Sequence, residues 1–375
     1  LTLDKQLHIV CLDVPYPVDY GGVFDLFYKI KTLHEHGIGI HLHCFEYGRG
    51  QPVELQKYCV EVNYYSRNQG HKGFSHTVPY IVCSRSSEKL VENLLKDDFP
   101  ILLEGIHCTH VVHDHRFQHR KMILRLHNVE CVYYRQLAKS TASPFKKIYY
   151  RYESRMLKRY EKSIANKLLI AAVAEQDVLF YRKEFGAAHI VCVPVFLPSM
   201  TVTSKAGAGC YCLYQGNLSI AENELAACWL LKHVFRELPF PFVIAGKRPS
   251  PRLQKMIQHY PQGCLVADPT ETEMQDIIEK AQVHILPSFN STGTKLKLLN
   301  ALFNGRHCLV NKEAIRDSGL EKICHVASTA ETFKITLSDI YGRPFSQDDI
   351  NLRKEVLGEM FSNDKSAKEL IQYLW

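Results

Sequence analysis

Residues 283–310 read VHILPSFNSTGTKLKLLNALFNGRHCLV, and this stretch decides the fold. A short apolar run stops at Leu286. A Ser/Thr/Gly loop then leads into the helical spacing of residues 294–304. Gly305 ends that helix, and Cys308–Leu309–Val310 starts another apolar run. Strand, loop, helix and strand in this order mean two parallel strands joined by a crossover helix.

The same rhythm extends in both directions. Upstream, strands are expected at 7–13, 39–45, 59–64, 101–104, 121–126, 167–171 and 189–193. Helices are expected at 22–36, 86–96, 129–139 and 143–164. Residues 194–209, with two prolines, two glycines and no periodicity, read as a linker. Beyond it, strands are expected at 211–214, 240–245, 264–267, 283–286 and 308–310. Helices fall at 222–236, 251–259, 271–280 and 294–304, and residues 352–375 are mostly helical. The expected class is α/β, with two doubly wound Rossmann-like domains. The first spans 1–195, a linker 196–208 and the second 209–350. Terminal helices over 351–375 are expected to pack back toward the first domain.

Composition bounds the function. At 375 residues, with 46% hydrophobic and 23% charged residues, the chain is neither disordered nor fibrous. Its longest apolar run, residues 168–174, is too short to span a bilayer, and residues 1–10 do not read as a signal peptide. Thirteen cysteines without a CxxC pair read as free thiols in a reducing cytoplasm. The net charge of +7 is concentrated between residues 144 and 167, where eight basic residues face only Glu153 and Glu161. Such local charge argues against a general nucleic-acid binder. In the helix over 145–164, Tyr149, Tyr152, Met156 and Tyr160 form one stripe, and Arg151, Arg155, Lys158 and Lys162 form another beside it. This predicts either weak contact with an anionic membrane surface or an aromatic stripe packed on the first domain.

Two α/β domains call for a ligand at the carboxyl ends of the strands. The GxGxxG and P-loop patterns are absent, which disfavours dehydrogenases and P-loop enzymes. Two loop-to-helix junctions remain. Gly21 and Gly22 precede a helix start, as either an anion or polyol site or a simple turn. In the second, Lys295 and Lys297 lie in the expected first turn of the 294–304 helix, where cations oppose the macrodipole. A bound phosphate offsets this; the alternative is a helix capped by Ser291 or Thr292 with two solvated lysines. His107, His110, His113, His115 and His119 carry ligand chemistry, but a zinc site is not expected there.

Four segments resemble the family-4 retaining glycosyltransferases. They are VPYPVDYGGVFDLFYKIKTLHEHG (14–37), LRLHNVECVYY (124–134), YQGNLSIAENELAACWLL (214–231) and STGTKLKLLNALFNGRHCLVN (291–311). The resemblance implies a GT-B fold, two Rossmann-like domains facing a cleft. It implies transfer of a hexose from a nucleotide diphosphate sugar to a glycan or lipid-linked acceptor, as in polysaccharide biosynthesis. No metal and no other cofactor is expected. His127, Lys295 and Lys247 are the implied catalytic residues. Gly21, Gly22, Gly216, Asn217, Thr292, Gly293, Thr294, Lys297 and Asn300 are the implied donor-binding residues. Glu130 ranks second, as a substrate contact or a capping partner of Asn128. His127 touches the transferring sugar or the acceptor, or else caps the helix that follows.

Thr292 and Asn300 stand where many members of that family carry carboxylates, and Asn217 and Asn223 stand near a usual basic pair. These departures leave a non-catalytic relative of the same fold as the alternative. A GT-B epimerase or phosphorylase is a third reading, for which the epimerase's acidic set is missing. The expected location is cytoplasmic, or peripheral at the inner face of the membrane.

Overall fold

The computed structural model describes residues 5–18, 21–141, 143–198, 201–289 and 292–375. Seven parallel strands form the first sheet. They are β1 (Lys5–Cys11), β2 (Ile38–Glu46), β3 (Glu61–Ser66), β4 (Ile101–Glu104), β5 (Met122–Leu126), β6 (Leu169–Ala172) and β7 (Ile190–Cys192), ordered β3-β2-β1-β4-β5-β6-β7. The second sheet holds β8 (Tyr211–Gln215), β9 (Phe242–Gly246), β10 (Gly263–Ala267), β11 (Ala281–Ile285), β12 (His307–Val310) and β13 (His325–Val326), ordered β10-β9-β8-β11-β12-β13. Strands such as β1, β4 and β11 are buried almost throughout because helices cover both faces of the sheets.

The order reverses between β1 and β4 in the first sheet and between β8 and β11 in the second. Crevices at the strand ends open at such switch points. There the turn after β5, with His127 and Asn128, meets Gly293 of the second half.

The helix Glu130–Ser140 and the helix Pro144–Ile164 form an antiparallel hairpin. Tyr134 meets Tyr150 edge-on at 5.9 Å, and Ser154 Oγ donates to the Cys131 carbonyl at 2.7 Å. The first of these helices also packs against Ala221–His233 of the second half. The chain ends with Gln347–Met360, continuous across position 350, and Asn363–Leu374. The last helix buries Ala367, Leu370 and Leu374 in the core around β1 and Gly21–Glu35.

Two helices of more than ten residues, besides the short Tyr80–Cys83 and Lys312–Ile315, escape the sequence reading. Glu175–Phe185 starts with Glu175 and Asp177 and ends at Gly186, which is left-handed at φ 68°. Ala330–Tyr341 starts with a capping box between Thr329 and Thr332. The helix expected over 294–304 begins only at Leu296. Lys295 is its N-cap in a non-helical conformation and makes no side-chain cap bond. Lys295 is therefore not in the first turn, and Thr292 is not the cap; Ser291 lies outside the described residues. Gly21 and Gly22 are already inside their helix, Gly21–Glu35, and not in the loop before it.

The first half is held by a buried ion network. Asp25 binds Arg125 through both oxygens, at 2.8 and 3.1 Å, and Lys29 at 2.8 Å. Lys29 also reaches Glu104 at 2.7 Å, and none of these side chains is more than 3% exposed. Arg125 donates onward to the carbonyls of Val193 and Pro194, and Asp25 accepts from the Phe196 amide at 2.9 Å. Removing one partner of a buried pair strands the other charge. Arg125→Met is expected to lower unfolding free energy by about 3–5 kcal/mol, seen as a lower urea midpoint at unchanged slope. Loss of the exposed Arg116, which pairs with Asp114 and Glu88, is expected to cost under about 1 kcal/mol.

Candidate functional site

His127 follows β5 directly, at the edge of the ion network. Its Nε2 lies 2.9 Å from Glu104 Oε2, and its Nδ1 lies 3.8 Å from Asp25 Oδ2. The ring is 15% exposed, whereas both carboxylates are buried. Glu104 thus fixes the orientation of a histidine that is only partly exposed. Burial pushes the Asp25 carboxyl up, but Arg125 and Lys29 beside it hold it well below the usual range. His127 does not cap the following helix, whose N-cap is Val129.

Asp25, Glu104 and His127 bring three potential metal-binding atoms within 4.8 Å of one another. Lys29 and Arg125 already neutralise the two carboxylates. His110, His113 and His115 of the 107–119 run line one cavity, but among the described residues the run brings no three ligand atoms within 4.8 Å of one another; His115 is exposed, and His113 accepts from Lys167 at 3.0 Å.

Glu130 is buried, and burial beside Glu161 and Asp177 pushes its carboxyl up to about 8. Its amide and that of Cys131 are held by Glu161 at 3.0 and 2.9 Å, so the start of the 130–140 helix is satisfied by a carboxylate 31 residues away. Asn128 hydrogen-bonds the Glu130 carboxyl, but the N-cap of the helix is Val129, without a side-chain cap bond, so the pair is not a capping box.

The loop after β11 comes to His127 from the other half. Gly293 is left-handed at φ 65°, and a Cβ there would lie 2.1 Å from Asn128 Oδ1 and 2.8 Å from the His127 carbonyl. Glycine alone fits both the dihedral and the gap. Gly293 N donates to Asp177 Oδ2 at 3.1 Å, Gln176 donates to the Gly293 carbonyl at 3.1 Å, and Thr294 Oγ1 donates to the Val173 carbonyl at 3.1 Å. Burial pushes Asp177 up to about 7.

Behind this contact stand two lysines. Lys295 Nζ donates to the Thr292 carbonyl at 2.5 Å. Lys297 Nζ donates to Asn223 Oδ1 at 2.9 Å and Tyr214 Oη at 3.1 Å, and lies 4.9 Å from the Tyr214 ring centre. Burial lowers both, Lys297 to about 8, with Glu222 opposing. Two part-buried cations thus stand at the start of a helix, the kind of place where an anion is favoured.

The other residues named from sequence are placed unevenly. Gly216 lies under Asn223, and a Cβ on Gly246 would meet its carbonyl at 1.8 Å. Asn217 Oδ1 accepts from Ser219, and its carbonyl accepts from Asn223. Lys247 is exposed at the end of β9. Asn300 is exposed on the 296–304 helix and accepts from Asn304 at 2.7 Å. Asp25, Lys29, Glu104, Arg125, Asp177 and Glu222 were not singled out in the sequence. A cavity of about 360 Å³ touches Gly293, Thr294 and Lys295 but not His127, Lys297 or Lys247; Arg316, Lys365 and Glu369 line its other side.

No protein-family model matches the sequence. An uncharacterized 44.6 kDa protein in the cps region of Klebsiella pneumoniae is 29% identical over 320 residues, covering 80% of this chain and 81% of that one. Sucrose-phosphate synthase from Thermosynechococcus elongatus matches with TM-score 0.74 at 13% identity over 98% of both chains. Anabaena HepE, solved with UDP and glucose, gives 0.68 at 9% identity over 99% of both. TarM gives 0.67 at 10% identity over 99% of both. The fold is GT-B, the two-domain fold of these glycosyltransferases.

The lowered lysine has a pH consequence. An anion binds the charged form of Lys297 and raises its pKa, so affinity is retained below pH 8 and falls as pH rises above it. A diphosphate anion titrated calorimetrically across this range is expected to weaken by up to about tenfold per pH unit above 8. Lys297→Met is expected to bind more weakly at neutral pH and to lose this dependence.

Proposed function

We propose that the protein is a glycosyltransferase. It moves a hexose from a nucleotide diphosphate sugar to a glycan or lipid-linked acceptor, with retention at the anomeric carbon, as in the family-4 enzymes its motifs resemble. The observation that carries this reading is the meeting of Gly293 and His127 across the cleft, with Lys295 and Lys297 behind the glycine. A diphosphate at the start of the 296–304 helix puts its sugar toward His127.

The slow event in such a transfer is departure of the diphosphate. Lys295, Lys297 and the helix amides stabilise the charge that develops on it. Fixed donors in a water-poor crevice act more strongly than the same groups in bulk water. His127, held by Glu104, meets the sugar or the acceptor at the reacting carbon. Gly21 and Gly22 line the opposite wall, Gly216, Asn217, Thr292 and Thr294 border the donor, Lys247 approaches its phosphates, and Asn300 takes the ribose hydroxyls. Glu130, buried and pushed up, supports the His127 turn without touching substrate. Since the Asp25 and Glu104 carboxylates are paired with Lys29 and Arg125, the reading needs no metal. All thirteen cysteines are free, which favours a cytoplasmic setting.

A thermal-shift screen with UDP-, GDP-, ADP- and CMP-sugars finds the donor, and product formation with that donor tests the reading. Lys295→Ala is expected to weaken diphosphate binding by about 1.5–3 kcal/mol. His127→Ala is expected to bind the donor normally but to turn over on the order of a hundredfold more slowly. Donor binding without turnover under any acceptor condition would favour the non-catalytic alternative.

A further inference from the structure

The apolar stripe of the helix Pro144–Ile164 outruns the domain it packs on. In its second half the stripe is covered: Met156 and Tyr160 are buried, and Tyr160 Oη lies 2.9 Å from Thr109 Oγ1. In its first half the same stripe is bare. Phe145 is 83% exposed, Ile148 67%, Tyr149 39% and Tyr152 40%, at spacings of three and four that put them on one face. The expected stripe of Tyr149, Tyr152, Met156 and Tyr160 therefore divides: its end packs on the domain, while its beginning, extended by Phe145 and Ile148, faces solvent. A run of exposed aromatics and isoleucine on two helical turns is rare unless something covers it.

Charge says what covers it. Lys146, Arg151, Arg155, Lys158, Arg159 and Lys162 of this helix are exposed, whereas its two acids point inward. Glu153 accepts from the Ile81 amide at 3.3 Å, and Glu161 holds the 130–131 amides. Beside the bare stripe, Arg135, Arg151, Arg155 and Lys158 surround a concavity of about 280 Å³, and Ser154 is its other lining residue. Lys158 has Glu184 at 3.3 Å, and no acid lines the concavity. A second copy of the chain would bring the same cations against these.

We propose that the tip of the 130–164 hairpin docks on an anionic bilayer. Phe145, Ile148, Tyr149 and Tyr152 enter the interfacial layer, and the four cations of the concavity take lipid phosphates. No helix among the described residues is long and apolar enough to cross a membrane, so the contact is peripheral. The first helix of the hairpin starts beside His127 and packs on the second half, so docking sets the cleft close to the lipid surface. This deepens the glycosyltransferase reading by giving a lipid-linked acceptor its place, and it rests on that reading for the acceptor alone.

The full-length protein, sedimented with vesicles of phosphatidylcholine alone or mixed with phosphatidylglycerol, tests it. Binding is expected only to the anionic vesicles and is expected to fall at high salt. Phe145→Ser with Ile148→Ser, and separately Arg151→Gln with Arg155→Gln, are each expected to weaken it about tenfold or more. These exposed substitutions are expected to leave the melting temperature and donor binding unchanged, so their effect is separable from failure of the donor site. Absence of binding to anionic vesicles at low salt would overturn the proposal, as would binding indifferent to both pairs. It would also be overturned if the serine pair abolished self-association while the wild-type protein ignored vesicles.

Discussion

The pairing of Asp25 with Arg125 is the constraint on which the first half depends. The two residues are 100 positions apart and bring the Gly21–Glu35 helix onto β5. The same guanidinium takes the carbonyls of Val193 and Pro194, so the chain leaves the first domain from a fixed point. Lys29 extends the network to Glu104, and Glu104 orients His127. The charges are two carboxylates, a guanidinium and an ammonium, and they balance. A balanced, hydrogen-bonded cluster avoids the large penalty of an isolated buried charge. The partly exposed His127 is thus set by a buried network behind it.

The second half has a corresponding device. Arg353, fully buried, donates to the carbonyls of Leu302, Gly305 and Arg306 and to Ser204 Oγ. The Leu302 carbonyl is one of those left open where the 296–304 helix ends, and Gly305 and Arg306 follow directly. Fixing that end fixes the other, where Lys295 begins the helix. Gly305 also passes His284 so closely that a Cβ would meet the ring at 2.0 Å. The loop that carries Gly293 is therefore positioned by the strand before it, the helix after it and the residues of the first half that it touches. The last helix crosses back, with Asp364 at 3.1 Å from His36 and Leu370 in the first core. The two halves are joined on both sides of the cleft by the chain itself.

The alternation of strands and helices was legible because buried parallel strands are continuous apolar runs and the helices between them keep their spacing. Gly293 was legible as a close approach, and His127 as a residue at a strand end. The ion network was not. Asp25 and Lys29 sit one turn apart and read as an ordinary helix pair, while Glu104 and Arg125 read as the ends of strands. Their partners lie far away in sequence, so only the fold shows that they are buried together. The signal available was a charge inside an apolar run, as in ILLE and ILRL. The helices at 175–185 and 330–341 were missed although acidic starts and caps announced them. The helix start near 295 was placed early because a lysine gives no cap signal.

The central claim is that one nucleotide diphosphate bridges the 292–299 segment and the His127 turn. Hydrogen exchange of the full-length protein, with and without a saturating amount of the nucleotide whose sugar the thermal-shift screen identifies, tests it most directly. The account predicts slower exchange in both segments together, 292–299 and 127–131, and no comparable change in the hairpin tip at 143–152. Protection confined to one half, or found only elsewhere, would contradict it.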